Sequence, residues 1–145
     1  MVRGSTIAVI LVLLLAGVPG STAGADFKVI VNAANPVESI TKGDLSKMFL
    51  RKTESWPNGQ AVIPIDLAPD SPIRESFSTD VHDRKVASIK SYWQRQIFSG
   101  KAVPPVEYKS EVNVITFVTG NPGAIGYVAN STRLDHRVKV LEVKD

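Results

Sequence analysis

The sequence predicts an α/β fold, a three-layer sandwich in which helices cover a small, mainly parallel β-sheet. Apolar, β-branched runs alternate with helical periodicity along the chain, and turn residues separate these runs. No internal repeat, low-complexity tract or linker interrupts the pattern. Once a leader of 25 residues is set aside, 120 residues remain, which is enough for one hydrophobic core. Residues 26–145 are therefore predicted to form a single domain.

The leader, residues 1–25, has the features of a cleaved signal peptide. Arg3 precedes the uncharged apolar run 7–18, and Ala23 and Ala25 match the small-x-small cleavage pattern. The run is shorter than the roughly 20 residues that a membrane-spanning helix needs, so a retained anchor is the weaker alternative. We predict cleavage after Ala25, export to the periplasm or beyond, and no stable membrane insertion afterwards.

Composition argues against several classes of function. The chain has no cysteine, which removes disulfides, thiolate catalysis and cysteine-bound zinc. Residues 26–145 carry sixteen Lys and Arg and fourteen Asp and Glu, interspersed in the sequence, so no nucleic-acid partner is expected. His82 and His136 stand 54 residues apart, which predicts no metal site. No cofactor motif, nucleophile elbow or recognisable carboxylate pair is present, and we expect a non-enzyme without a cofactor.

The first part of the mature chain predicts a strand, a helix and a second strand. The strand, residues 27–36, ends at an Asn-Pro turn signal. Thr41 predicts the N-cap of a short amphipathic helix, with Asp44 three residues later in a capping box. The second strand covers residues 61–67, where Pro64 indicates an edge or a bulge.

Two helices follow. Pro72, at a first helical position, predicts a short helix over residues 71–81. The clearest helix covers residues 84–100 and ends at Gly100. Its apolar residues at helical spacing are Val86, Ile89, Trp93 and Ile97. Four aromatic residues are expected in the core rather than in a ligand groove: Trp56, Tyr92, Trp93 and Phe98.

The last part of the chain contains one ambiguous segment. Residues 101–108 predict an extended loop. In residues 111–120, alternating valines favour a strand, whereas Ser110 and the following Gly-Asn-Pro-Gly favour a helix, and the local pattern leaves both open. Two more strands are predicted at residues 123–130 and 137–143.

Four motifs in order resemble the substrate-binding proteins of phosphate ABC transporters, in the type II periplasmic binding protein-like superfamily. Those proteins contain a Leu-x-x-x-Phe-x-Gly-Lys-x-x-x-Trp segment, and this chain matches it at Leu45, Phe49, Lys52 and Trp56. Arg51 replaces the Gly of that segment. Residues 121–128, NPGAIGYV, are similar to a strand near the end of the same proteins, and residues 91–105 resemble a short-chain branch of the superfamily. The resemblance implies a fold like one lobe of a periplasmic binding protein and a helix over 110–119.

The resemblance also implies where a ligand binds. The two-lobed proteins hold phosphate between their lobes, and one lobe carries an Arg-x-Asp-x-Ser-Gly-Thr anion loop. Asp70 matches the Asp of that loop, Ala68 stands in place of its Arg, and Ser71 and Arg74 are substitutes in role only. The loop of this chain therefore departs from the family pattern, and two glycines that let a backbone approach a ligand are missing.

The candidate site comprises Asp70, Ser71 and Arg74. With Ser71 as N-cap, free N–H groups of the helix start are available to an anion, and the Arg74 guanidinium is suited to a bidentate contact with phosphate or sulfate. Asp70 accepts a hydrogen bond only from a protonated oxyanion, which favours phosphate over sulfate. The alternative is that Asp70 and Ser71 only cap the helix and that Arg74 is a solvated charge.

Two functions are consistent with these observations. The first is an exported, solute-binding-like protein that captures phosphate or a related oxyanion at these three residues. The second is a lobe without a ligand that docks a protein partner or a second copy of itself across the half-cleft face.

Overall fold

The computed structural model describes residues 26–145, which contain six strands and four α-helices. The strands are β1 (Phe27–Asn32), β2 (Ser39–Thr41), β3 (Ile63–Leu67), β4 (Val106–Tyr108), β5 (Ala124–Ala129) and β6 (Val138–Lys144). The helices are α1 (Lys42–Phe49), α2 (Pro72–Phe77), α3 (Val86–Phe98) and α4 (Glu111–Gly120), and α2 continues into a π-helical turn, Ser78–His82. The predicted leader lies outside the described residues, and the domain boundary after Ala25 stays a prediction.

The strands of residues 26–145 form one sheet in the order β2-β6-β1-β5-β3-β4. In this part of the chain β1 alone runs against its neighbours, and the other five strands share one direction. β1 lies in the middle of the sheet, where Val29 pairs with Tyr127 of β5 and with Leu141 of β6. The prediction of an α/β fold with a mainly parallel sheet is confirmed.

Helices cover both faces of the sheet. Tyr127 stacks on Phe77 at the end of α2, with ring centroids 3.9 Å apart. The residue before it in β5, Gly126, faces the opposite side of the sheet because successive strand residues alternate. There, a Cβ on Gly126 would lie 2.7 Å from Cγ1 of Val114, so the glycine lets α4 approach the sheet closely. The predicted three-layer arrangement is therefore present, with α1 and α2 on one face and α4 on the other.

The ambiguous segment is a helix, as the resemblance implied. Val114 and Val118, four residues apart, are fully buried against the sheet, whereas Val112 is 69% exposed. The alternating valines therefore do not reflect a strand, because Val114 and Val118 lie on one face of a helix and that face is buried.

One sequence prediction about strands is confirmed and another is wrong. Pro64 was expected near an edge or a bulge. β3 lies beside the edge strand β4, and its register with β4 begins at Ile65, so at Pro64 the strand pairs with β5 alone. Residues 101–108 were expected to be a loop, yet Val106–Tyr108 form β4, which pairs with β3 at one end of the sheet. Pairing with a neighbouring strand is a tertiary property, so the local pattern did not indicate β4.

Helix α3 packs on a small core of its own. It buries Ile89 and Trp93 against Leu50, while the main core is built from the sheet and the other helices. The expectation that Phe98 is a core residue is wrong, because its side chain is 96% exposed at the end of α3. Both cores are built from the described residues, 26–145, and the single domain over this range stays a prediction.

Candidate functional site

The candidate site lies where β3 ends and α2 begins. Ser71 is the N-cap of α2, as predicted, and its Oγ accepts a hydrogen bond from the Arg74 backbone N–H at 3.3 Å. Pro72 follows in the first turn, where a missing N–H costs nothing. Asp70 is exposed next to this cap. The start of α2 is therefore well capped, and the Arg74 N–H is already used by the cap.

Arg74 points into the protein. Its side chain is 4% exposed, and Nη1 donates a hydrogen bond to the Leu67 carbonyl oxygen at 2.7 Å. Nε lies 3.3 Å from Oδ1 of Asp66, and Nη1 lies 3.6 Å from Oε1 of Glu107. The solvated-charge alternative is therefore wrong for Arg74. Since the guanidinium has protein acceptors, its role as an oxyanion ligand stays a prediction.

Asp66 is the centre of a buried polar network. The Tyr127 hydroxyl donates to Oδ1 of Asp66 and accepts a hydrogen bond from the Leu67 N–H at 3.2 Å. Burial raises the pKa of Asp66 from 3.8 to about 6, although the nearby Arg74 charge acts in the opposite direction. The network joins β3, β5 and α2 directly beneath the candidate site.

Sequence reasoning missed Asp66, Glu107 and Tyr127. One signal was present, because Asp66 is a single carboxylate inside the apolar run Ile-Pro-Ile-Asp-Leu of β3. A charge inside a buried strand requires a partner, and Arg74 is the nearest cation in sequence.

Two clefts meet at Pro69, beside Asp70. One, of about 360 Å³, is lined by Lys90 and Trp93 of α3 and also by Arg74 and Glu107. The other, of about 450 Å³, has as its charged lining residues Glu75, Asp83, Arg84 and Lys85. Arg84 and Lys85 at the larger cleft and Lys90 at the smaller one are exposed, so their cationic groups are accessible to a ligand there. Sequence reasoning did not connect these residues with Asp70, because only the fold brings the start of α3 next to Pro69.

His82 belongs to a separate contact. Its Nδ1 lies 2.7 Å from Oγ of Ser46 on α1, and burial lowers the pKa of His82 from 6.5 to about 4. The imidazole is therefore neutral at neutral pH. Across the part of the chain that the structure describes, no three His, Cys, Asp or Glu side chains converge to hold a metal ion.

The fold is similar to part of several solved phosphate transport receptors. An ABC-type phosphate transport receptor from Vibrio cholerae matches with a TM-score of 0.64 and 21% identity, over 81% of this chain and 46% of that one. A phosphate ABC transporter substrate-binding protein from Clostridium perfringens, with bound phosphate, matches with a TM-score of 0.64 and 20% identity, over 81% of this chain and 44% of that one. PstS from Borrelia burgdorferi matches with a TM-score of 0.56 and 19% identity, over 81% of this chain and 47% of that one. The resemblance inferred from the motifs is thus confirmed at the level of the fold.

The chain spans less than half the length of these receptors. No protein-family profile and no curated protein matches the sequence. Among the described residues, no helix is both long enough and apolar enough to cross a membrane.

Proposed function

We propose that this protein is an exported, solute-binding-like protein that captures an inorganic oxyanion, phosphate first, beside Asp70. One observation carries the proposal: Pro69, which precedes the exposed Asp70, lines two clefts, of which one presents Lys85 and the other Lys90. The likeness in fold to a receptor with bound phosphate supports the choice of ligand. The predicted ligand residues remain Asp70, Ser71 and Arg74, and the geometry adds the two lysines.

Each residue has a distinct role in this proposal. Lys85 and Lys90 supply flexible positive charge to the oxyanion, and their exposure allows them to move towards it. The Asp70 carboxylate accepts a hydrogen bond from the hydroxyl group of a singly or doubly charged phosphate, a contact that sulfate lacks. The buried guanidinium of Arg74 adds positive charge near the oxyanion. It also holds the start of α2 against β3 through its hydrogen bond to the Leu67 carbonyl oxygen.

The proposal is tested by the thermal stability of residues 26–145 with phosphate, sulfate, arsenate or chloride at matched ionic strength. At about 100 times its dissociation constant, a ligand stabilises by roughly 2.7 kcal/mol, which raises Tm on the order of 10 °C. We expect that rise with phosphate in the parent protein and a much smaller one in Lys85→Ala/Lys90→Ala.

Lys47→Ala is the matched control, because Lys47 is an exposed lysine on α1. If no oxyanion raises Tm, the proposal fails, and the function predicted as the alternative, a lobe that acts through its protein contacts, replaces it. A rise with phosphate that persists unchanged in the double lysine variant would place the ligand elsewhere.

Asp70→Asn tests the basis of selectivity. An amide donates as well as accepts, so we expect the variant to bind sulfate and phosphate with similar affinity, whereas the parent prefers phosphate. Isothermal titration with both anions measures the ratio of the two dissociation constants. An unchanged ratio would show that Asp70 does not face the ligand.

Export is tested at the predicted cleavage site. In a bacterial host that secretes the full chain, we expect a mature protein that begins at Asp26, found in the periplasmic fraction or the medium. Intact mass measures the cleavage, and Ala25→Arg is expected to block it. A protein that keeps its leader in the parent form would instead support the retained anchor.

A further inference from the structure

Positive charge is concentrated around α3. Residues 84–106 contain five basic residues and no acidic residue, whereas the rest of 26–145 contains eleven basic and fourteen acidic residues. The five are Arg84, Lys85, Lys90, Arg95 and Lys101. All of them are exposed, and no ion pair within residues 26–145 involves any of them. The charges are therefore interspersed along the chain as a whole but segregated in this segment.

Apolar side chains protrude at the end of the same helix. Phe98 is 96% exposed, Ile97 is 54% exposed, and Val103 in the following loop is 66% exposed. The loop folds back on the helix, since the Lys101 N–H donates to the Gln96 carbonyl oxygen at 3.0 Å. We call Arg95, Ile97, Phe98, Lys101 and Val103 together the α3 tip.

We propose that the α3 tip binds reversibly to the surface of an anionic lipid membrane. Phe98, Ile97 and Val103 enter the interface between headgroups and acyl chains, and Arg95 and Lys101 bind the lipid phosphates. Exposed aromatic and aliphatic side chains flanked by basic residues are the usual composition of such interfacial anchors. This contact is adsorption to one leaflet and differs from a membrane-spanning insertion.

The charge pattern favours a membrane over a second copy of the chain. A two-fold contact through the α3 tip would bring Arg95 and Lys101 close to the same cations of the partner copy, which is repulsive. A protein partner requires a pocket shaped for Phe98. A fluid bilayer accepts a protruding ring without any complementary shape, and its anionic headgroups match the local charge.

The test is cosedimentation of residues 26–145 with vesicles of phosphatidylcholine alone or mixed equally with phosphatidylglycerol. We expect binding to the mixed vesicles only, and loss of that binding at high salt. Phe98→Ala should weaken binding about tenfold, because it removes the deepest apolar side chain. Arg95→Gln/Lys101→Gln should weaken it roughly 25-fold, at about fivefold for each charge.

Matched controls separate a local contact from general electrostatics. Val112→Ala removes an exposed apolar side chain on α4, and Lys47→Gln/Lys144→Gln removes two exposed charges elsewhere. Both should bind as the parent does. The proposal is wrong if the mixed vesicles bind no protein or if control and tip variants lose binding equally. Loss of vesicle binding with retained, Phe98-dependent self-association would assign the α3 tip to a protein contact instead.

The tip variants can be separated from the oxyanion site. Ile97 of the α3 tip also lines the smaller cleft at Pro69, but Arg95, Phe98 and Lys101 line neither cleft. Variants at these three positions should therefore keep the phosphate-dependent rise in Tm. Adding free phosphate at matched ionic strength should leave vesicle binding unchanged. If free phosphate displaces the protein, the lipid phosphate occupies the oxyanion site and the α3 tip is not the anchor.

Discussion

Single side chains explain why the start of α2 differs from a simple capped helix. The side chain of Arg74 is almost completely buried and forms an ion pair with Asp66. The Asp66 carboxylate also accepts a hydrogen bond from the Tyr127 hydroxyl. The sequence allowed Asp70, Ser71 and Arg74 to be placed at one turn, and Ser71 was identified correctly as the cap. The inward orientation of the Arg74 side chain was not predictable, because it depends on the carboxylate of Asp66, eight residues earlier on the buried strand β3.

Two buried titratable groups oppose each other in the pH dependence of stability. The pKa of Asp66 is raised on folding, from 3.8 to about 6, so its contribution to stability falls as pH rises through that interval. The pKa of His82 is lowered on folding, from 6.5 to about 4, so its contribution rises with pH over nearly the same interval. We expect the free energy of unfolding of the parent to change little between about pH 4 and 6.5.

Variants separate the two contributions. In Asp66→Asn the contribution of His82 remains without that of Asp66, and stability should increase with pH. In His82→Gln the contribution of Asp66 remains without that of His82, and stability should decrease. Urea unfolding across the interval measures both slopes. If stability changed with pH by the same slope in both variants, Asp66 and His82 would not be the groups responsible. His136→Gln is the control, because His136 is exposed.

Helix ends were the most predictable elements of this chain. Thr41 caps α1 by accepting a hydrogen bond from the Asp44 N–H at 3.1 Å, and α3 ends next to Gly100, which has a φ of +68°. Strand partners were less predictable. Neither the short β2 nor the edge strand β4 has a distinctive pattern, because a three-residue strand depends on its neighbour for its hydrogen bonds.

The two serine N-caps, Ser71 and Ser110, should contribute differently to the free energy of unfolding. The Ser71 hydroxyl accepts a backbone hydrogen bond, whereas the side chain of Ser110, the N-cap of α4, makes no such bond. Ser71→Ala should therefore lower the free energy of unfolding by about 1 kcal/mol, and Ser110→Ala should leave it almost unchanged. Denaturant unfolding measures both, and an equal loss at the two positions would show that cap geometry is not the cause.

For the molecule as a whole, stability is unevenly distributed. The main core includes residues from the sheet, α1, α2 and α4, while the buried part of the second core is Leu50, Ile89 and Trp93. Because so little apolar surface holds α3, this helix is the part most able to open without global unfolding. This helix carries Lys90, the proposed oxyanion lysine, and three residues of the α3 tip, Arg95, Ile97 and Phe98.

Hydrogen exchange tests this distribution. We expect the amides of α3 to exchange with a lower opening free energy than those of β1 and β5. Ile89→Ala should accelerate exchange in α3 and leave the central strands protected, whereas Val29→Ala should accelerate exchange in both. Protection of α3 equal to that of β5 would contradict the expectation.

The position of β1 has a consequence for how the chain is made. β1 is the first strand of residues 26–145, yet both of its sheet neighbours, β5 and β6, come from residues 124–144. The centre of the sheet therefore cannot close until these residues have been synthesised. Such long-range pairing slows folding. A growing chain that ends before β5 leaves β1 without either of its sheet neighbours.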